Sequence, residues 1–224
     1  MYLPDSTSLQ QAAADFRYLL NRGYPREASL SLVGNRYILS RAARQLLHRG
    51  VFADTVAQAR RAKLQPLSAL TGQPLALDGH NVLITLESAL QGRPLVVADD
   101  GFIRDIAQLS RAYRDSPTTR QALNLLAAYV ARHRPGPLTV LFDAPMKRSG
   151  ELAEQTRQIL AAQGVRAQAR AVPVPERELL VFAGAVATSD THLIDAQDII
   201  VDLAGEIIRQ ELAAVAQLIS LAAG

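Results

Sequence analysis

Four short apolar runs that each lead into an aspartate constrain this chain most. Leu75-Ala76-Leu77 runs into Asp78, Leu95-Val96-Val97 leads to Asp99, residues 138–142 run into Asp143, and residues 185–188 lead to Asp190. Their hydrophobicity is continuous rather than alternating, which marks strands buried on both faces, as in a parallel or mixed sheet covered by helices. Helical segments fit between and after them, at residues 81–90, 118–133, 149–163 and 198–221. The predicted fold class is therefore α/β. With 224 residues, 49% of them hydrophobic, the chain is long enough to bury a substantial core.

The first 70 residues follow a different grammar. Leu9, Ala13, Phe16 and Leu20 recur at helical spacing up to Gly23, and Pro25 opens a second helix that stops at Gly34. Further helices are expected at about residues 35–49 and 54–63, and Pro66, Gly72 and Pro74 punctuate a linker. The expected division is thus residues 1–70, a small all-α module, and residues 71–224, the α/β domain. Two helices flanking Gly34 are compatible with a helix-turn-helix, in which Arg36, Arg41 and Arg44 meet a phosphate backbone; a packing or dimerisation role fits the same pattern.

Charge separates the same two regions. Residues 1–70 carry 10 basic and 4 acidic side chains, net +6, and residues 71–224 carry 14 and 17, net −3, within an overall +3. A basic module beside an acidic one suits a protein that captures a polyanion with one part and holds cations in the other; solvated arginine-rich helix faces give the same count. Cysteine is absent, which excludes disulfides, thiolate zinc sites and thiol catalysis. No apolar run approaches the ~20 residues of a membrane span, so the expected setting is cytoplasmic with no membrane partner.

In open α/β sheets ligands bind outside the C-terminal ends of the strands, so carboxylates at those ends cluster. Asp78, Asp143 and Asp190 are the candidates, and hard oxygen ligands of this kind suit Mg²⁺ or Mn²⁺. The chemistry expected is phosphodiester hydrolysis, with a metal-activated water as nucleophile. An aspartate after a strand also has a plainer use, capping the next helix. Asp99-Asp100-Gly101 reads as a turn between two strands of an extra unit at residues 94–105. No phosphate-binding P-loop, no G-x-S-x-G elbow and no D-x-D phosphatase motif is present.

Local motifs sharpen this. Asp78-Gly79-His80-Asn81 after an apolar strand resembles the opening D-G-x-N of PIN/NYN-like ribonucleases, residues 140–144 resemble the second strand motif of the NYN group, and Thr188-Ser189-Asp190 resembles its T-[SN]-D signature. The resemblance covers about residues 75–208. It implies a three-layer α/β/α fold with a mainly parallel sheet, and a metal-dependent ribonuclease with Asp78, Asn81, Asp143 and Asp190 as catalytic residues. Asp78, Asp143, Asp190 and Asp195 would hold Mg²⁺ or Mn²⁺. Thr188 and Ser189 would support them. Apart from the resemblance, Glu87, Asp99 and Asp100 are further candidate acids, Lys147 and Arg148 are candidate phosphate contacts by charge and helix dipole or a solvated loop, and Arg36, Arg41 and Arg44 are the candidate RNA contacts of the helical module. The family's additional helix acid is displaced here, and Glu176, Glu178 and Glu87 compete for it. His80 and His192 are candidate phosphate or metal contacts or bystanders. A non-catalytic RNA-binding or assembly protein with the same fold is the alternative. The apolar stretch at residues 213–223 suits either core packing or a homodimer interface.

Overall fold

The computed structural model describes residues 6–106 and 116–221. In chain order the first elements are helices α1 (Ser6–Asn21), α2 (Arg26–Arg36), α3 (Arg41–Gly50) and α4 (Asp54–Lys63), followed by a 3₁₀ turn (Leu67–Leu70). Then come β1 (Leu75–Asp78), α5 (Gly79–Leu90), β2 (Pro94–Val97), β3 (Ile103–Asp105), α6 (Pro117–His133), β4 (Leu138–Asp143) and α7 (Ser149–Ala162). The chain ends with β5 (Ala167–Val172), α8 (Pro175–Leu179), β6 (Ala185–Ala187), α9 (Thr191–Ala196), β7 (Ile200–Val201), α10 (Leu203–Glu211) and β8 (Gln217–Ser220).

These elements form two compact units, and neither is a continuous stretch. One comprises residues 1–62, 93–108 and 217–224, the other residues 63–92 and 109–216. The sequence suggests a single cut near residue 70, whereas the chain passes between the units four times.

In the first unit α1, α2 and α3 bury Leu9, Ala12, Ala13, Phe16, Leu46 and Leu47 together with Val96, Ile106 and Leu221. The segment 94–105 is a β2–β3 hairpin turning at Asp99-Asp100-Gly101, where Gly101 takes φ 90°, as its turn chemistry predicts. β8 completes this small sheet, running parallel to β2 in register Leu95↔Leu218. The single helix expected at residues 198–221 is thereby overturned. Asp202 accepts from Gly205 N–H and starts α10, which ends before Leu212, and residues 217–220 pair as a strand instead. Alanine-rich sequence favours a helix, but the open edge of β2 offers a complete ladder of backbone partners, and the tertiary pairing wins over propensity.

Gly34 does not stop α2, which continues to Arg36; α3 begins only at Arg41, with the Ser40 hydroxyl accepting from Ala43 N–H. The turn between them therefore lies at residues 37–40, not at Gly34. Buried charge in this unit is matched. Asp100, 0% exposed, accepts from Arg104 at 2.7 and 2.8 Å and from Arg60 at 3.2 Å, and Asp99 accepts from Arg17 at 2.7 and 2.9 Å. The Arg26, Arg60 and Arg104 guanidiniums all lie within 5.2 Å of the Phe52 ring centroid.

The second unit is an α/β fold with a central five-stranded, all-parallel sheet in the order β5-β4-β1-β6-β7, flanked by helices. From β1 the chain builds outwards to β4 and β5, then returns to the other side of β1 for β6 and β7. The strand order therefore reverses between β1 and β6, which is where open α/β sheets form their binding crevice. α5 packs on α6 and α10, α7 packs on β4 and β5, and α8 meets β1 and β4. β5 escapes the search for continuous apolar runs because it is an edge strand: Gln168 and Arg170 are exposed while Ala169 and Val172 are buried.

Candidate metal centre

Register brings the predicted residues together. Asp78 ends β1 opposite Leu141 of β4, and the pairing Leu77↔Ala187 puts Thr188 level with Asp78 on the other side. Side chains alternate faces with period two, so Asp143, two residues past Leu141 on β4, faces the same side of the sheet as Asp78, and Asp190, in the loop after β6, is near enough to act on Asp78 electrostatically. Two residues of strand rise ~6.6 Å, so Asp143, the last residue of β4, lies about that far past the level of Asp78 along the strand direction.

The D-G-x-N segment turns sharply from strand to helix. Asp78 caps α5, accepting from Asn81 N–H at 3.4 Å. Gly79 makes this turn possible, because a Cβ there would sit 2.8 Å from the Leu141 carbonyl oxygen and against the Phe142 ring. Asn81 then reaches across the switch point. Its side-chain oxygen accepts from Ser189 N–H at 2.8 Å and from the Ser189 hydroxyl at 3.0 Å. Thr188 makes a second tie, its hydroxyl donating to Asp78 Oδ2 at 3.1 Å and accepting from Asp190 N–H at 3.0 Å. Asp190 in turn caps α9, taking the N–H groups of His192 at 2.9 Å and Leu193 at 3.2 Å.

His80 is buried and joins the same group. Its Nδ1 accepts from Asp143 N–H at 3.0 Å and lies 3.2 Å from Asp143 Oδ2, and its ring stands edge-on to Phe142 with centroids 5.1 Å apart. Burial lowers its pKa below the usual imidazole value, against the pull of Asp143. Pattern reading leaves His80 open as a bystander; its contact with Asp143 exists only because β1 and β4 are neighbours.

Electrostatics single out Asp78. Desolvation pushes its carboxyl up to about 7 from an ordinary 3.8, and the nearby Asp190 and Asp143 carboxylates push the same way. The hydrogen bonds from Thr188 and Asn81 pull in the other direction and only partly offset this.

The other predicted acids lie elsewhere. Glu87, nine residues along α5 from Asp78 and thus ~13 Å of helical rise away, accepts from the Thr119 hydroxyl at the start of α6. Asp195 is exposed in the last turn of α9, where its backbone carbonyl accepts from Lys63. Glu178 is tied to Arg170 and Glu176 is exposed. Asp99 and Asp100 belong to the first unit and are held by its arginines. Lys147 and Arg148 are exposed after β4, with Arg148 Nε donating to Glu151 at 2.9 Å. In the first unit Arg36 and Arg41 are exposed, and Arg44 donates to the Leu39 carbonyl and to Asn35. His192 is exposed. A half-buried acid without a sequence signal is Glu206 of α10, which accepts from the Tyr129 hydroxyl at 2.9 Å and from Leu67 N–H at 3.0 Å.

Among the described residues no three His, Asp or Glu side chains are gathered to hold a metal ion. Asp78 and Asp190 are both turned to their own helix N-termini. The donor set fits an ion of the magnesium type, which is held by one or two carboxylates with water and substrate phosphate completing its shell, and does not form an all-protein cage. No helix among the described residues is long and apolar enough to cross a membrane.

The chain belongs to the family described as Domain of unknown function (DUF5616), whose model matches residues 67–206, a span that contains every residue of this strand-end cluster. Residues 8–63, on α1 to α4, match the family described as Protein of unknown function (DUF434). The chain is similar to the uncharacterized protein MJ0935 of Methanocaldococcus jannaschii, 32% identical over 203 residues that cover 90% of this chain and 97% of that protein. No solved structure matches it.

Proposed function

We propose that this chain is a metal-dependent nuclease acting on RNA in the cytoplasm, with Asp78, Asp143 and Asp190 as its acidic centre. One observation carries the reading: Asp78 sits at the switch point of a parallel sheet with a desolvated carboxyl, two like-charged neighbours and, among the described residues, hydrogen bonds from Thr188 and Asn81. An acidic group raised towards neutrality in a crevice is the signature of a site prepared for a ligand, and a cation is the ligand that relieves it.

In this reading Mg²⁺ or Mn²⁺ is held by one or two of the three carboxylates together with the phosphate of the substrate, and when bound it supplies an activated water and charge neutralisation at phosphorus. The protein's own residues do the positioning. Asn81 and Thr188 lock residues 188–190 to the α5 N-terminus, fixing Asp190 relative to Asp78. His80 fixes Asp143 through its backbone N–H. Lys147 and Arg148, exposed on the loop after β4, add positive charge for phosphate.

The test is cleavage of a panel of end-labelled single-stranded and hairpin RNAs with Mn²⁺ or with EDTA, beside calorimetric titration of Mn²⁺ with and without RNA. Wild type should cut only with metal, Asp78→Asn should cut at least about 100-fold more slowly, and Mn²⁺ should bind more tightly when RNA is present. If wild type binds RNA yet cuts none of the panel, the protein is an RNA-binding member of the fold and the catalytic reading fails.

A further inference from the structure

The turn between α2 and α3 carries an arrangement that folding alone does not explain. α2 ends in a Schellman motif: Leu39 N–H reaches the Gly34 carbonyl at 2.8 Å and Ile38 N–H reaches the Asn35 carbonyl at 3.2 Å. The residue after the cap in this motif takes the left-handed conformation and is usually glycine. Here it is Ile38, at φ 49°. A β-branched residue is among the worst for that conformation, because its branches crowd the backbone. Nor does burial compensate, since Ile38 is 91% exposed, more than any other large apolar side chain described. Strained residues that bring no packing gain concentrate at functional surfaces.

Its surroundings indicate the chemistry of the partner. Arg36 precedes it by two residues with its side chain 71% exposed, in a loose 3.6 Å pair with a half-exposed Asp15 and 5.7 Å from the Tyr37 ring centroid. Arg41 follows by three residues and is exposed. Leu32, one helical turn before Arg36 on the same face of α2, is 61% exposed. Arg44 does not join them at the surface; it donates to the Leu39 carbonyl at 3.1 Å and to Asn35 at 2.9 Å, bracing the turn from behind.

We propose that this turn is a single-stranded RNA contact in which Ile38 packs against an unstacked base while Arg36 and Arg41 take the flanking phosphates. An apolar tip between two guanidiniums matches a strand that alternates base faces with phosphates. A membrane surface is the poorer match, because one projecting side chain and a neighbouring leucine give too little apolar area to anchor a helix in lipid. The proposal rests on RNA being the polyanion of the proposed function. It moves the expected helix-turn-helix contact from a groove-reading helix to the turn itself, and assigns Arg44 a positioning role.

The experiment uses the full chain in EDTA, so that binding is read without cleavage, and follows the anisotropy of a fluorescein-labelled oligouridylate of about 16 nucleotides. Asparagine accepts the left-handed conformation, so Ile38→Asn should raise Tm by about 2–4 °C while weakening RNA binding at least about fivefold. Ile38→Leu keeps an apolar tip and should bind within about twofold of wild type. Arg36→Ala and Arg41→Ala should each lower the slope of log affinity against log salt by about one, whereas Ile38→Asn leaves it unchanged. An Ile38→Asn variant that binds as wild type, or that melts earlier, overturns the proposal. So does a wild-type chain that ignores RNA but binds phosphatidylserine vesicles through Ile38. Absence of metal-dependent cleavage by wild type would sink the nuclease reading and leave this measurement intact.

Discussion

Asp100 in the first unit is fully buried and Asp78 in the second partly so, and their surroundings are opposite. Asp100 is clamped by Arg104 and Arg60, and Asp99 beside it is gripped by Arg17. Asp78 meets a hydroxyl and one backbone N–H, with two further carboxylates near enough to raise its pKa. Burying a charge costs several kcal/mol unless a partner offsets it. In the first unit arginines offset it, and the carboxylates serve as struts that hold helices to a hairpin. In the second the cost is left standing at the switch point of the sheet, where the proposed cation would relieve it.

The sharpest way to break this contrast is to remove each acid. Asp100→Ala leaves the Arg60 and Arg104 guanidiniums facing a void and should destabilise by about 3–5 kcal/mol in urea unfolding, enough to threaten folding. Asp78→Asn should be no less stable than wild type at neutral pH. If the two substitutions cost the same, Asp78 is a structural acid like its counterpart.

A smaller effect follows from linking α5 to residues 188–190. Asn81→Ala removes the acceptor for two Ser189 donors and should cost about 1–3 kcal/mol, while slowing any metal-dependent cleavage more than the same loss of stability elsewhere does. Cleavage at the wild-type rate would show that the tie is structural only.

Asp78 also predicts a pH dependence with a definite sign. Its native pKa is raised to about 7 above an ordinary 3.8, so the native state binds the proton more tightly than the unfolded one. The stability it contributes is full below about pH 4 and is lost as pH climbs through about 7. Melting in EDTA from about pH 5 to pH 8 should show this decline in wild type and a flatter profile in Asp78→Asn. Matching profiles would remove desolvation of Asp78 as an account of the site.

The smallest change should come from Arg148→Ala. It breaks an exposed pair with Glu151 and should leave the melting temperature unchanged, but it should weaken RNA binding more at low salt than at high.

Much of the second unit is legible in the order of its residues. β1, β4 and β6 are continuous apolar runs because both faces of a central parallel strand are covered, and hydrophobicity records that burial directly. β5 is not, because an edge strand needs only one apolar face. The residues of the cluster are legible too, through Asp78-Gly79-His80-Asn81 and Thr188-Ser189-Asp190, since a turn that must clear the Phe142 ring demands glycine and a loop pinned to Asp78 demands a hydroxyl. The role of His80 is hidden, as Asp143 lies 63 positions away and touches it only across the sheet. Asp99 and Asp100 mislead for the same reason. A strand followed by aspartate looks alike in sequence whether arginines or open crevice await it, and Arg17 stands 82 positions from Asp99.

The α/β class, the helical beginning, the hairpin turn at Asp99-Asp100-Gly101 and the strand-end positions of Asp78, Asp143 and Asp190 follow from sequence alone, because they depend on local periodicity and turn chemistry. Only tertiary contacts settle that residues 93–106 and 217–220 join the N-terminal helices, that residues 217–220 extend as a strand, and which aspartates are neutralised. Those outcomes depend on what approaches from distant parts of the chain: an open strand edge for a backbone, or a guanidinium for a carboxylate.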